Sequence, residues 1–360
     1  MSSSSTSTTS LPTGDLKRTA LPVSPQESLL GSTLSNNIHP LFRQHNFRTC
    51  ALTPETTGTD NKEPILPTRT YDRLLPALRL ATNLLEFSLP FLAKISFAPL
   101  VFPNFPPGAA QASSASTIYA LDPHFVATDA HITRLRARLA DWATRTRFYC
   151  GTPSLPGGGC DKACTEVRTQ TQTTGGGKLP APAYTVTSIS RETIAFFTDR
   201  QNNYDTLPVD VRTAQLVELA FVLVHEQAHA AFHCRWAEDE EMSAAHRAFI
   251  AAVTPVEPLY HTQLGPQYHE LGFAWSAWVH GGSVLSLGMG QGGGMIFIRY
   301  PEDVFQEAQG VTAQNYPFRE FLLSEAFWAY VQAAGRPPVD WNEESAYSGW
   351  LGQCLIAYNS

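Results

Sequence analysis

Apolar positions recur at helical spacing in some stretches of the chain and alternate in others. Over Thr128 to Arg145, Ile132, Leu135, Leu139 and Trp142 fall on one stripe, which predicts an amphipathic helix. From Asp210, a side chain suited to capping, a longer helix is predicted through Val224 to about Phe232. Further helices are predicted over Gln267 to Val279 and Phe318 to Ala334; the second ends at Gly335, ahead of Pro337 and Pro338. Between Tyr184 and Phe197 the pattern alternates instead. That predicts a strand, or a strand pair turning near Ser190 to Glu192. Met295 to Tyr300, which follows the glycine-rich stretch Gly288 to Gly294, reads as a short strand. The chain is therefore expected to be α+β, mostly helical with a small sheet.

Polar and breaker residues divide these elements. Residues 1–30, rich in Ser, Thr and Pro, bury too little apolar surface to offset chain entropy and are expected to form a disordered leader. Residues 31–360 are then read as one domain, with flexible loops near 106–117 and 151–182; the second of these holds two Gly triplets. Leu84 to Phe105 is apolar, but Glu86, Lys94 and several prolines interrupt it, so it does not read as a membrane span. The N-terminus lacks a charged start followed by an apolar run, which leads to the expectation of an intracellular, cytoplasmic protein.

Charge and cysteine content narrow the partners. A net charge of -7 offers no concentrated basic face, so a nucleic-acid partner is not expected. In a chain read as intracellular, the six cysteines are expected to be reduced. Cys150, Cys160 and Cys164 are spaced C-x9-C-x3-C and lack a paired C-x2-C knuckle. Solvent-near thiols or one local disulfide are therefore a better reading than a second metal site.

The chemistry concentrates in His225-Glu226-Gln227-Ala228-His229, an HExxH motif. Residues four apart on a helix share a face, so two imidazoles can present their Nε2 atoms to one zinc ion at about 2.0 to 2.1 Å. Glu226 then projects beside the metal, where it can act as general base toward a water acidified by zinc. From the chain's His and Glu frequencies, chance alone produces the motif in roughly one such sequence in fifty. Its context adds weight, because an apolar run from Leu216 to Val224 carries the helix into a core before the polar residues appear. Buried His and Glu side chains are costly there unless they are paired or metallated.

The third ligand must come from elsewhere. His233 lies eight positions past His225, about 12 Å along a straight helix, so three such side chains cannot reach one ion. The extended HExxHxxGxxH pattern fails because Phe232 and Arg235 occupy its Gly and His positions. The acidic run Glu238 to Glu241 follows too closely and reads as a solvated turn. Glu270, 41 residues past His229, allows a turn and a returning helix. The apolar neighbours Leu271, Phe273, Ala274 and Trp275 would draw it inward, and Gly272 would permit close helix contact. Glu270 is the expected ligand, with His246 as the alternative. The HExxH helix is thus expected to pack on a second helix that carries the third ligand.

These residues resemble a group of fungal zincin-like proteins that pair an HExxH helix with a downstream Glu-Leu-Gly-x-Ala-Trp segment. The matching residues are His225 to His229, Glu257-Pro258, Glu270 to Trp275 and Gly281-Gly282, and the likeness spans roughly residues 184–340. Ser276 stands where that pattern often has a second Glu. The resemblance implies a zincin-like catalytic domain of gluzincin type. In it His225, His229 and Glu270 would be zinc ligands and Glu226 the catalytic base, acting on a peptide or protein substrate. Tyr268, His269, His280 and Tyr300 are candidate donors to the oxyanion. Two other readings stand beside this one. One is a non-catalytic zinc-binding interaction protein. The other is a protease similar to the SprT-like group, with His246 and Phe249 in place of Glu270; the acidic linker and the missing basic stripe weigh against it.

Overall fold

A single serine, Ser88, separates two helices in the stretch that reads only as an interrupted apolar run. The computed structural model describes residues 32–49, 64–101, 120–152, 163–168, 171–174, 177–180, 184–198, 204–238, 257–258, 270–280, 282–286, 295–299, 319–334, 351 and 354. Strand β1 (Phe47–Thr49) comes first, then helices α1 (Thr68–Phe87) and α2 (Leu89–Phe97). Pro76 lies inside α1, and Pro90 sits in the first turn of α2, where its missing N–H costs nothing. Leu74, Leu78, Leu85, Phe91 and Leu92 are fully buried, so this stretch is core. Two-residue strands β2 (Leu100–Val101) and β3 (Ala120–Leu121) pair antiparallel.

Helix α3 (Asp129–Arg145) matches its prediction, with Thr128 as N-cap. It buries Ile132, Leu135, Leu139 and Trp142. Strand β4 (Thr146–Thr152) follows directly, then β5 (Ala163–Arg168), β6 (Thr171–Thr174), β7 (Gly177–Pro180) and β8 (Tyr184–Ser190). The expected loop over 151–182 is thereby corrected: β5 is part of the main sheet, and β6 and β7 pair antiparallel. The Gly triplets obscured short threonine-bearing runs. One of these threonines, Thr165, exchanges a hydroxyl hydrogen bond of 2.8 Å with Thr187 on β8. The main sheet has the order β1-β4-β8-β5, parallel except for the antiparallel β5 edge.

Only the first half of the predicted strand pair is a strand. Helix α4 (Arg191–Thr198) follows β8 at once. The Ser190 hydroxyl accepts from Thr193 N at 3.1 Å, and Ile194 and Phe197 are buried at helical spacing. Helix α5 (Val209–Glu238) runs six residues beyond its predicted end and carries the HExxH motif. Helix α6 (Leu271–His280) begins four residues later than expected, and leads to the antiparallel pair β9 (Gly282–Ser286) and β10 (Met295–Arg299). The last predicted helix is two, α7 (Arg319–Leu322) and α8 (Glu325–Ala334), interrupted at Leu323-Ser324.

The described residues are mostly helical with a small sheet, compatible with an α+β chain. Leu216, Val217, Leu219, Ala220, Leu223 and Val224 are all 0–1% exposed, so α5 is buried nearly all round. It contacts α1, α2 and α6, and also β5 and β8. Trp275 of α6 fixes that packing, with its indole N–H donating to Ser88 Oγ at 2.7 Å and its ring 5.6 Å from that of Phe221. Among the described residues no helix is long and apolar enough to cross a membrane. The expected leader (1–30) and the expected loop at 106–117 lie outside the described residues.

Candidate metal centre

One turn of α5 and the start of α6 bring three donors to a point. His225 and His229 lie one helical turn apart, with ring centroids separated by 5.1 Å. Glu270 immediately precedes α6, and one of its carboxylate oxygens, Oε1, faces both rings. It stands 3.1 Å from His225 Nε2 and 2.5 Å from His229 Nε2. The other oxygen accepts from Phe273 N, so Glu270 also caps the helix it precedes. Glu270 thus stands just before α6, where sequence reading placed it inside the helix. That position fixes its side chain, because one oxygen is held by backbone and the other is left for the histidines.

Close packing sets the histidine side. A Cβ at Gly272 would fall well inside contact distance of His225 Nε2, Cδ2 and Cε1, so only glycine lets α6 approach this ring. Phe273 meets His225 edge to face at 5.5 Å while remaining 46% exposed, which places an apolar surface at the rim.

Glu257 enters from the connection between α5 and α6. Its Oε1 accepts from His229 Nδ1 at 2.6 Å, and its Oε2 accepts from Leu271 N at 2.9 Å. His233 Nε2 is 3.9 Å from the same Oε1, beyond hydrogen-bond length. His233 therefore stays out of the donor cluster, as helix geometry requires.

Charge follows from this arrangement. Burial disfavours the His229 imidazolium, but the Glu257 and Glu270 carboxylates outweigh it and hold this histidine well above its ordinary range. Burial likewise opposes ionisation of Glu270, and hydrogen bonds from His225 and His229 reverse it, holding the carboxyl well below the usual carboxylate range. For His233 burial prevails and its pKa is lowered.

A divalent cation fits this donor set. The ligand atoms of His225, His229 and Glu270 all lie within 4.8 Å of one another. Tetrahedral donors about 2.0 to 2.1 Å from zinc stand roughly 3.3 Å apart, so small adjustments suffice. Two imidazoles and one carboxylate are donors that zinc accepts, and three ligands leave a coordination position open. Glu226, the next residue along α5, is 4% exposed, and its Oε2 has no hydrogen-bond partner among the described residues. A buried carboxylate oxygen without a partner is unfavourable unless a solvent molecule or ligand meets it.

Other expected residues are not placed here. His246, Tyr268, His269, Tyr300 and Gly281 lie outside the described residues, as does Phe249; His280 ends α6, with its side chain likewise outside them. Cys150 is buried and burial pushes its thiol up to about 12, which corrects the expectation of a solvent-near group. It lies on β4 and Cys164 on β5, with β8 between them; Cys160 is outside the described residues. The role of Glu257 was missed because a carboxylate followed by proline carries no periodic signal, and its partner is 28 residues away. Comparison with protein-family models, curated proteins and solved structures returns no match.

Proposed function

We propose that the chain is a zincin-like metallopeptidase in which His225, His229 and Glu270 hold a zinc ion and Glu226 is the general base. The observation that carries this reading is the convergence of both Nε2 atoms on Glu270 Oε1, with the neighbouring residue of α5, Glu226, holding a buried carboxylate oxygen that has no partner among the described residues. The HExxH order supports it. When bound, zinc supplies Lewis-acid polarisation and acidifies water at the open position. His225 and His229 bind through Nε2, and Glu270 binds through Oε1 while its other oxygen keeps it oriented on Phe273 N. Glu226 takes a proton from the attacking water on a carboxylate oxygen and returns it to the departing amine nitrogen as the peptide C–N bond breaks. Helices α1, α2 and α6 pack against α5, which carries His225, Glu226 and His229.

Glu226→Gln separates binding from turnover. The expected result is retained zinc with peptide hydrolysis lowered by about 10²- to 10⁴-fold, the usual range for a positioned acid–base group. Hydrolysis at the wild-type rate would remove Glu226 as the base. Stoichiometric zinc in a wild type that cleaves no peptide would favour the non-catalytic zinc-binding reading.

A further inference from the structure

His229 is gripped from two sides. Its Nε2 faces Glu270, and its Nδ1 is 2.6 Å from Glu257 Oε1. Glu257 has 11% of its side chain exposed, and a carboxylate so buried needs partners for both oxygens. It has them: His229 Nδ1 on Oε1 and the first backbone N–H of α6, Leu271 N, on Oε2. We propose that Glu257 is the positioning residue of the metal centre. In this role it accepts the Nδ1 proton of His229, which leaves Nε2 as the donor, and it fastens the first turn of α6 so that Glu270 meets that donor. The inference rests on the metal-binding reading above.

Ring geometry separates this role from that of a further ligand. Nδ1 and Nε2 point away from each other across the imidazole, so a carboxylate on one cannot share an ion with the other. The opposite arrangement would place an ion among His229 Nδ1, His233 and Glu257. Yet His233 Nε2 is 3.9 Å from Glu257 Oε1, and among the described residues the donors close enough to share an ion are those of His225, His229 and Glu270. Carboxylates that receive the second N–H of a ligand histidine fix its tautomer and orientation, and their loss weakens metal binding by about 10- to 100-fold.

The test uses the full chain and zinc alone, titrated against a chromophoric chelator. Wild type, Glu257→Gln and His233→Ala are compared. Glu257→Gln is expected to take one zinc at saturation but with affinity about 10- to 100-fold weaker, while His233→Ala matches wild type. A second readout does not depend on the variant folding well. In the cobalt(II)-loaded wild type, one hyperfine-shifted imidazole N–H is expected to exchange slowly with solvent because a buried carboxylate holds it; that protection should vanish in Glu257→Gln. Rapid exchange of every such proton in wild type would overturn the proposal, as would wild-type zinc affinity in Glu257→Gln. So would His233→Ala losing as much affinity as Glu257→Gln, because the ion would then sit on the other side of His229. A wild type that binds no zinc would instead overturn the metal reading itself.

Discussion

Gly272 lies directly against the imidazole of His225, with no space for a side-chain carbon between α6 and Nε2, Cδ2 and Cε1 of that ring. Adding one methyl must push His225 aside, and His225 is one of the three converging donors. Gly272→Ala is expected to keep α6 helical, since alanine suits a helix better than glycine, at a cost of about 1 to 3 kcal/mol for the overpacked contact. Zinc affinity should nevertheless fall by roughly tenfold or more, in line with other changes to groups that orient a ligand. Chelator competition measures the affinity and circular dichroism monitors the fold. Undiminished affinity would mean that His225 is not a ligand in this position.

The helix bearing Gly272 is held by a contact that spans nearly 190 residues of sequence. Trp275 Nε1 donates to Ser88 Oγ at 2.7 Å, and both residues are fully buried. Ser88→Ala strands the indole N–H and should cost about 1 to 3 kcal/mol of unfolding free energy. With Trp275→Phe already in place the serine change should cost about 1 kcal/mol less, since no donor is left unmet. Denaturant unfolding of the two single variants and the double variant measures this coupling. Strict additivity would refute it.

Acid sensitivity is expected away from the metal centre, at His39. Its Nδ1 accepts from Leu41 N at 3.2 Å and so must be unprotonated in the fold. Burial lowers its pKa to about 4, helped by Arg43 and opposed by Glu86. The unfolded chain binds this proton near pH 6.5, whereas the folded chain resists it until about pH 4. Stability from this group is therefore complete above pH 6.5 and lost as pH falls toward 4, by an amount on the order of 2 kcal/mol. His39→Asn retains an acceptor for Leu41 N but cannot titrate. Unfolding free energies at pH 7 and pH 4.5 should differ less for this variant than for wild type by that amount. An unchanged difference would assign the acid sensitivity elsewhere.

Sequence made the central helix legible because its signals agree. An apolar run and a four-residue His spacing point to one element, although Asp210, read as its cap, stands inside the first turn after Val209. Glu270 was legible by elimination, from its distance along the chain and the apolar residues around it. Local signals misled where tertiary contacts decide. Tyr184 to Phe197 alternates, yet the Ser190 hydroxyl caps Thr193 N and turns the second half into helix. The Gly triplets between 151 and 182 concealed β5, whose order comes from pairing with β8 rather than from strong propensity. Pro90, with Glu86 and Lys94, likewise disguised α2 and the end of α1, the helices that pack against α5. Glu257 lies in a stretch without periodicity, and only the folded chain brings it to His229.

Convergence of His225, His229 and Glu270 on one ion is the claim on which the rest depends. Metal analysis of the purified wild-type chain and of Glu270→Ala after equilibration with zinc and desalting tests it most directly. One zinc per wild-type chain and loss of that zinc from Glu270→Ala is the predicted result. A wild type without zinc, or a Glu270→Ala variant that keeps it undiminished, would contradict it.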